Sequence, residues 1–510
     1  MTPTAWLCSI SMVVLLAANG CGGGDGRGRG DGGLDDDASV SVDSSVTVDA
    51  APQAPANIDD VVQCGAAPPV GPGNVAEFQR HVLDQAAFPD ALCNDGSPAA
   101  IYFRPYTGAA NRNKWVLNLH GGGGCGSGAS CIARWCGCNN TTECPYTTAP
   151  TNFTRSTMTN DGPAQKAADG IFLRGDAVRV NPLGDYNQVE FSYCTSDGWH
   201  GNQRAVSFTT VNPKTNAPVT FTIHFLGARV LDANIATLRQ AGVPALVYTR
   251  GGAQTAMPDL DEATEIVVTG DSAGGAGVIT NLDYLTDTLR ASNTACSGGG
   301  ACPLKTYGLI DAVVGPERSK LDYGTHVVPQ IRSWLDYITL ASQNSHNVGA
   351  RMDASCVSWH AANMPATAGA CSDDSHVVRH HITTPFFVRM ALIDQLISGN
   401  YLEEGLRNAD MSPMTVATFA RTLHDELASF ANLSATAEEG TLITRQPGVF
   451  APLCSKHDTI HSTADTFGTT ITPSGGTAQR LLGVFTSWQA GTTPSNVLTQ
   501  SPTGADTVCP

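Results

Sequence analysis

A serine flanked by glycines stands where a run of β-branched residues ends. Residues 266–269 read Ile-Val-Val-Thr and lead directly into Gly270-Asp-Ser-Ala-Gly274, with Ser272 at the centre. This pattern predicts a sharp turn from strand to helix that exposes the serine hydroxyl, because only glycine fits two residues to either side. The helix that follows offers free N–H groups to a developing negative charge. We therefore predict that Ser272 is a nucleophile and that the N–H of Ala273 stabilises an oxyanion.

A second group of glycines follows another apolar run. Residues 115–119 read Trp-Val-Leu-Asn-Leu and are followed by His120 and four glycines. The Lys and Ser/Thr of a phosphate-binding loop are absent, and the spacing does not fit a dinucleotide fingerprint. The pattern favours an oxyanion loop, with a purely structural turn as the alternative. The predicted donors, besides Ala273, are the N–H groups of Gly122, Gly123 and Gly124. Because His120 precedes the nucleophile, we assign it to this loop and not to the role of general base.

The elements that must position these residues alternate between short apolar runs and helical patterns. This alternation predicts a mostly parallel sheet with helices on both faces, in one large α/β domain. The predicted strands are 100–103, 115–119, 189–193, 266–269, 307–314, 385–393 and 448–453, and the clearest helices are 228–241 and 413–433.

Strand order selects the partners of the serine. In an α/β-hydrolase arrangement the acid comes two strands after the nucleophile, and the histidine follows the next strand. The count from Ser272 predicts Asp394 as the acid and His457 as the general base. Asp311, in the intervening strand, is the alternative acid. His380 and His381 are the alternative bases.

The N-terminal residues indicate export. Residues 6–18 are apolar and too few to span a bilayer, and Cys21 follows small residues as at a lipoprotein cleavage site. We predict a signal peptide over residues 1–21, with ordinary cleavage as the alternative to lipid attachment at Cys21. Residues 22–60 are rich in Gly, Asp, Ser and Pro and predict a disordered acidic tether. The folded domain is then 61–510, with an insertion at about 316–380 that we expect to cover the pocket.

Charge and cysteine content restrict the partners further. The net charge is −17 and no basic patch is present, which argues against nucleic acid. Sixteen cysteines in an exported chain predict disulfides, with Cys296–Cys302 and Cys356–Cys371 as candidate local loops. The cysteines between 125 and 144 match no familiar zinc motif. We predict no metal site and no cofactor.

Taken together, these stretches resemble the pectin acetylesterase and Notum family of serine carboxylesterases. The resemblance rests on 115–125, 181–198, 225–238, 270–275, 385–395 and 451–457, which cover most of residues 95–465 in order. It implies the same three catalytic residues and the same oxyanion donors. The chain departs from the family at Gly124, where Trp is frequent, and at Asp271, where Cys is frequent. The substrate should therefore not be inherited with the mechanism.

The resulting hypothesis is a monomeric esterase of the bacterial cell envelope, either lipid-anchored or secreted. By resemblance, its reaction would be removal of acetate from a carbohydrate or a small-molecule ester. One alternative is a metallohydrolase, since His457 and His461 have the spacing of a His-Glu-x-x-His zinc helix. Another is a surface-anchored binding protein that retains the hydrolase scaffold without turnover.

Overall fold

The computed structural model describes residues 56–62, 77–136, 157–176, 179–212, 216–297, 301–323, 331–407, 412, 414–433, 445–462, 466–473 and 476–498. The predicted signal peptide, Cys21 and most of the predicted tether lie outside these residues. Among the helices described, none combines the length and the apolar character that a membrane span requires.

The described strands form one large sheet and three small hairpins. Their bounds are β1 Phe78–Val82, β2 Ala100–Arg104, β3 Lys114–Leu119, β4 Gln165–Lys166, β5 Asn187–Phe191, β6 Gln203–Val211, β7 Pro218–Phe225, β8 Val247–Arg250, β9 Ala253–Ala256, β10 Glu265–Asp271, β11 Lys305–Asp311, β12 Phe386–Arg389, β13 Gly448–Ala451, β14 Thr470–Ile471, β15 Gln479–Arg480 and β16 Asn496–Leu498.

The described helices lie between these strands, and short 3-10 turns join several of the elements. The α-helices are α1 Ile58–Val61, α2 Gly128–Trp135, α3 Gly227–Leu238, α4 Ala273–Ser292, α5 Trp334–Gln343, α6 Ala354–Asn363, α7 Asp374–His380, α8 Gln395–Glu403, α9 Val416–Ser429, α10 Thr459–Ser462 and α11 Leu481–Ala490.

The large sheet has the order β16-β13-β12-β11-β10-β3-β5-β2-β1-β4. The strands from β16 to β5 are parallel, and β2, β1 and β4 continue the sheet in antiparallel pairs. The predicted α/β-hydrolase-like class, a mostly parallel sheet with helices, is confirmed. Since β10, β11, β12 and β13 are neighbours, the residues that follow them meet at one edge of the sheet.

Alternation along the strands explains why helices cover both faces. Val268 packs in one apolar cluster with Ile279 of α4, whereas its neighbour Val267 packs in a second cluster with Val484 of α11. Successive side chains of a strand point to opposite faces, so a strand that is apolar throughout must be covered on both. The same residue types that predicted a buried strand therefore also require two helical layers.

Three predicted strands are longer than the observed ones, and one of them, β13, ends at Ala451 and not at residue 453. β11 ends at Asp311, after which Ala312 has a φ of 57°, and β12 ends at Arg389. Residues 390–392 are buried but lie outside the strand. These residues are apolar because they are buried beyond the sheet edge. Composition alone cannot distinguish such a buried segment from a strand. The antiparallel hairpin of β6 and β7 was not predicted.

The packed chain begins earlier than the predicted boundary at residue 61. Ile58 is fully buried in a small apolar cluster beside β7, and the backbone N–H of Thr222 donates to the carbonyl oxygen of Ala56 at 2.9 Å. The described residues of the predicted tether are therefore part of the folded domain. Ile58 gains burial by packing against β7 of the hairpin. The polar composition of residues 22–60 as a whole gave no sign of this contact.

Disulfides join several of the described cysteines. Both predicted local pairs, Cys296–Cys302 and Cys356–Cys371, are present. Cys125 pairs with Cys131, which removes these two sulfurs from any zinc site, and Cys93 pairs with Cys194 across 101 residues of sequence. The Cys93–Cys194 pair could not be predicted, because the sequence does not show which distant segments are in contact in the fold.

Candidate active site

Ser272 sits on a strained turn between β10 and α4. Its φ is 53° and its ψ −124°, a backbone conformation that residues other than glycine rarely adopt. A β-carbon on Gly270 would lie 2.3 Å from the carbonyl oxygen of Gly274, and one on Gly274 would lie 1.8 Å from that of Leu119. Glycine is therefore required at both positions, as the pattern predicted.

The glycine loop that follows β3 packs against this turn. Gly122 and Gly123 have φ values of 142° and 68°, and a β-carbon on Gly122 would lie 2.6 Å from Thr157 Cγ2. Within the part of the chain that the structure describes, the N–H groups of Gly122, Gly123, Gly124 and Ala273 donate to no protein acceptor. Buried N–H groups are nearly always satisfied, so this group of donors suits an external anion.

A loop after β5 holds the glycine loop from behind, and we did not predict its role. The carbonyl oxygen of Ser196 accepts from Cys125 N at 3.1 Å, and Trp199 Nε1 donates to the carbonyl oxygen of His120 at 3.1 Å. Buried Asp197 accepts from Thr195, Trp199 and Gly227. Only the recurrence of Thr-Ser-Asp-Gly in the family resemblance pointed to this segment.

Asp394 and His457 are paired at the same sheet edge. His457 Nδ1 lies 2.8 Å from Asp394 Oδ2, and Asp394 is fully buried. The other carboxylate oxygen accepts from Leu396 N at 2.9 Å and Ile397 N at 3.1 Å, so Asp394 also caps the N-terminus of α8. These bonds fix the carboxylate and leave one oxygen directed at the imidazole.

The electrostatic surroundings of His457 favour its charged form. Burial opposes the charge, but Asp394 more than compensates and raises the pKa of His457 to about 9. Asp458 and Asp271 act in the same direction. The ring is therefore a strong proton acceptor, and its neutral form is populated mainly at alkaline pH.

The second nitrogen of His457, Nε2, is buried and makes no hydrogen bond to any described group.

Asp311 links the segments that carry the serine and the histidine. Its carbonyl oxygen accepts from Ser272 N at 3.1 Å, and its Oδ2 accepts from Ile460 N at 2.9 Å. Catalytic hydrogen bonds in structures without substrate are often long and tighten on binding.

Asp311, the alternative acid, has other partners. Its carboxylate lies 3.2 Å from Arg389 Nη1, and both side chains are buried. Burial raises the pKa of Asp311, while Arg389 and the bond from Ile460 oppose this effect. The position next to the nucleophile strand suggested an acid, but β12 lies between β11 and the strand that precedes His457.

The structure also bears on the metallohydrolase alternative and on the other candidate histidines. Helix α10 begins at Thr459, so His457 precedes it, and the zinc-helix pattern of the metallohydrolase alternative does not have the helical geometry it requires. His380 and His381 lie at the end of α7 among other histidines. His120 Nδ1 lies 2.7 Å from the carbonyl oxygen of Gly121, within the glycine loop.

A cavity of about 60 Å³ lies beside the glycine loop and the first turn of α4, lined by Gly124 and Ala276. Its opposite side comes from the predicted insertion, including Asn344, His346 and Asp374. Burial raises the pKa of Asp374 to about 7 and lowers that of His346 to about 3. Near neutral pH the insertion thus supplies this cavity with polar groups, of which His346 is uncharged and Asp374 changes its charge.

A larger cavity of about 160 Å³ lies on the antiparallel side of the sheet. It is lined by His120 and Tyr193, by Arg80 of β1 and by Glu190 of β5. Ser272, Asp394 and His457 are among the lining residues of neither cavity. Each cavity borders the glycine loop, the smaller one through Gly124 and the larger one through His120.

Comparison with known proteins agrees with this geometry. Residues 74–299 match the family model described as Pectinacetylesterase. This stretch, less than half of the chain, is similar to the pectin acetylesterase and Notum family. Similar proteins include palmitoleoyl-protein carboxylesterase NOTUM of Schmidtea mediterranea, 30% identical over 39% of this chain and 29% of the relative. The NOTUM of Drosophila melanogaster is 31% identical over 39% and 23%, and that of Homo sapiens 26% over 39% and 30%.

The aligned stretch thus spans less than a third of these curated relatives. Among solved structures, the Wnt deacylase Notum from Drosophila superposes with a TM-score of 0.55 at 21% identity. The match covers 85% of this chain and all of that one. This structural likeness is one of fold, and it covers more of the chain than the family model does.

Proposed function

We propose that the protein is a serine carboxylesterase. In this mechanism His457 accepts the proton of Ser272 as the hydroxyl attacks an ester carbonyl, and Asp394 holds the imidazole and stabilises its charged form. The N–H groups of Ala273 and of the glycine loop stabilise the tetrahedral oxyanion. The alcohol leaves with the proton from His457, and water then hydrolyses the acyl-enzyme.

The observation that carries this proposal is the hydrogen bond of 2.8 Å between buried Asp394 and His457. Asp394 follows β12, His457 follows the neighbouring β13, and Ser272 follows β10, two strands from β12. A histidine whose pKa is raised by a specific carboxylate partner, at the same sheet edge as a serine on a strained turn, is typical of a catalytic site.

The resemblance to pectin acetylesterases favours a short acyl group such as acetate. The cavity of about 60 Å³ lies beside Gly124 of the proposed oxyanion loop. Its lining carries amide, imidazole and hydroxyl groups that can bind the hydroxyls of a carbohydrate. We therefore propose O-deacetylation of a carbohydrate or a small ester. The net charge of −17 disfavours long-range attraction of a polyanion such as pectin.

The proposed location is outside the cytoplasm. Disulfides persist mainly in oxidising compartments, and the described disulfides, including Cys93–Cys194, support export through the predicted signal peptide. Lipid attachment at Cys21, an anchored protein of a bacterial envelope and a monomeric state are parts of this proposal. Mass spectrometry of the mature N-terminus would distinguish an acylated Cys21 from ordinary cleavage.

The test uses Ser272→Ala with Ser297→Ala as the matched control, since Ser297 is an exposed serine after α4. We expect Ser272→Ala to lower kcat for p-nitrophenyl acetate by about 10⁴-fold or more and to abolish labelling by a fluorophosphonate. The control should keep both. Equal hydrolysis by a folded Ser272→Ala protein would contradict the serine mechanism. A series of esters with increasing acyl length should show kcat/KM falling beyond short chains.

A further inference from the structure

Four buried histidines lie together within the predicted insertion and at its end. His360 belongs to α6, His376 and His380 belong to α7, and His381 follows α7. The ring centroid of His376 lies 5.3 Å from that of His360 and 5.3 Å from that of His381. We call these four residues the histidine cluster. None of them has a part in the proposed esterase mechanism.

We propose that His360, His376 and His381 form a binding site for zinc or a similar divalent transition metal. The potential ligand atoms of these three residues lie within 4.8 Å of one another. His360 Nε2 and His376 Nε2 are 3.1 Å apart and form a hydrogen bond with each other. Two nitrogens bound to one tetrahedral zinc at about 2.0–2.1 Å are separated by about 3.3–3.4 Å. This pair is therefore close to the spacing that a metal needs, and binding would replace the proton between the two rings with the ion.

Hydrogen bonds at the outer nitrogens orient two of the rings for this purpose. The Thr367 hydroxyl donates to the carbonyl oxygen of Met364, so it accepts from His360 Nδ1 at 2.8 Å. This assigns the proton of His360 to Nδ1 and a lone pair to Nε2. Metal-binding histidines commonly donate their other N–H in this way.

His381 shows the same arrangement. The Ser355 hydroxyl has acceptors in Asp353 Oδ1 at 2.7 Å and the carbonyl oxygen of His381 at 3.0 Å. Its oxygen therefore accepts from His381 Nδ1 at 3.2 Å, which leaves the lone pair on Nε2. In both rings Nδ1 donates to a hydroxyl oxygen, so Nε2 is the nitrogen that would bind the metal.

The remaining potential ligands are less suited. Cys356 is close enough, but its sulfur is bonded to Cys371 and is not a thiolate. Glu317 and His380 form a second set with His376. Glu317, however, already accepts from Ser319 and pairs with Lys320 at 2.7 Å. Three imidazoles leave one coordination position for water, and the disulfide ties the start of α6 to the segment before α7.

The test measures metal bound by the full chain after chelation, dialysis against zinc and mass-spectrometric metal analysis. We expect about one zinc per chain, and His376→Gln should bind at least tenfold more weakly. The matched control is His424→Gln, because His424 lies on α9 beside exposed Asp425. Circular dichroism reports whether each variant folds. Absence of zinc from the wild-type chain, or equal affinity in folded His376→Gln, would overturn the proposal.

A second variant keeps the test decisive if His376→Gln does not fold. Thr367→Val retains all four rings but removes the acceptor of His360 Nδ1. Loss of such an outer partner typically weakens metal binding by about 10- to 100-fold. Cobalt added to the wild-type chain should give the intense visible absorption of four-coordinate cobalt. A spectrum no different from that of free cobalt would reject the site.

Discussion

Two regions of this protein bury histidines, and they differ in the partner of Nδ1. At the sheet edge, His457 Nδ1 meets the carboxylate of Asp394, which raises the pKa of the ring to about 9. In the histidine cluster, the Nδ1 atoms of His360 and His381 meet the hydroxyls of Thr367 and Ser355. A carboxylate favours the charged ring, whereas a hydroxyl oxygen orients the ring without supplying an opposite charge. The same side chain therefore suits proton transfer in one region and metal binding in the other.

Removal of the carboxylate should abolish this difference. We expect Asp394→Asn to lower kcat by about 10⁴-fold, because an amide favours the wrong tautomer and cannot stabilise the charged ring. The measurement is steady-state hydrolysis of p-nitrophenyl acetate, with circular dichroism as the folding control. Near wild-type turnover would mean that His457 does not depend on Asp394.

The oxyanion donors provide the next largest effect. We expect Gly122→Ala to lower kcat by about 10²- to 10³-fold, since the new β-carbon would meet Thr157 and Tyr193 and displace the N–H groups of the loop. The control is Gly483→Ala in α11, where a β-carbon meets nothing within 4 Å. If both variants kept full activity, the loop would be a structural turn only.

The pH dependence tests the raised pKa directly. Because the base must be neutral, kcat/KM should rise about tenfold per pH unit from neutral pH and level off near pH 9, where His457 loses its proton. The favourable charge also contributes stability that is complete below the ordinary pKa of 6.5 and is lost as the pH rises to about 9. A rate profile that levels off below pH 7 would contradict the assigned electrostatics.

Asp311 should behave in the opposite way to Asp394. Asp311→Asn leaves the buried guanidinium of Arg389 without its charged partner. The loss of one member of a buried pair typically costs about 3–5 kcal/mol in the free energy of unfolding. We expect a large decrease in denaturant stability but only a small change in kcat for the folded protein. A loss of kcat as large as that of Asp394→Asn would identify Asp311 as the acid.

Much of the fold was predictable because burial and strand periodicity are local properties. The runs at 115–119 and 266–269 lie within the observed β3 and β10. The overlong predictions for β11 and β12 arose because residues 312–314 and 390–392 are buried beyond the sheet edge. The hairpin of β6 and β7 has only a partly buried pattern, and its threonine-rich strands gave no strong apolar signal.

The parallel sheet, the sharp turn at Ser272 and the order of the candidate site residues could be predicted from the sequence, because β-branched runs and glycines act over a few positions. The folded chain was needed to show that Asp394 rather than Asp311 meets His457, since that choice depends on which strands are neighbours. It alone also assembled the histidine cluster. His360 lies within the segment that the Cys356–Cys371 disulfide closes, and His376 lies after it. No local sequence pattern predicts that their Nε2 atoms are 3.1 Å apart.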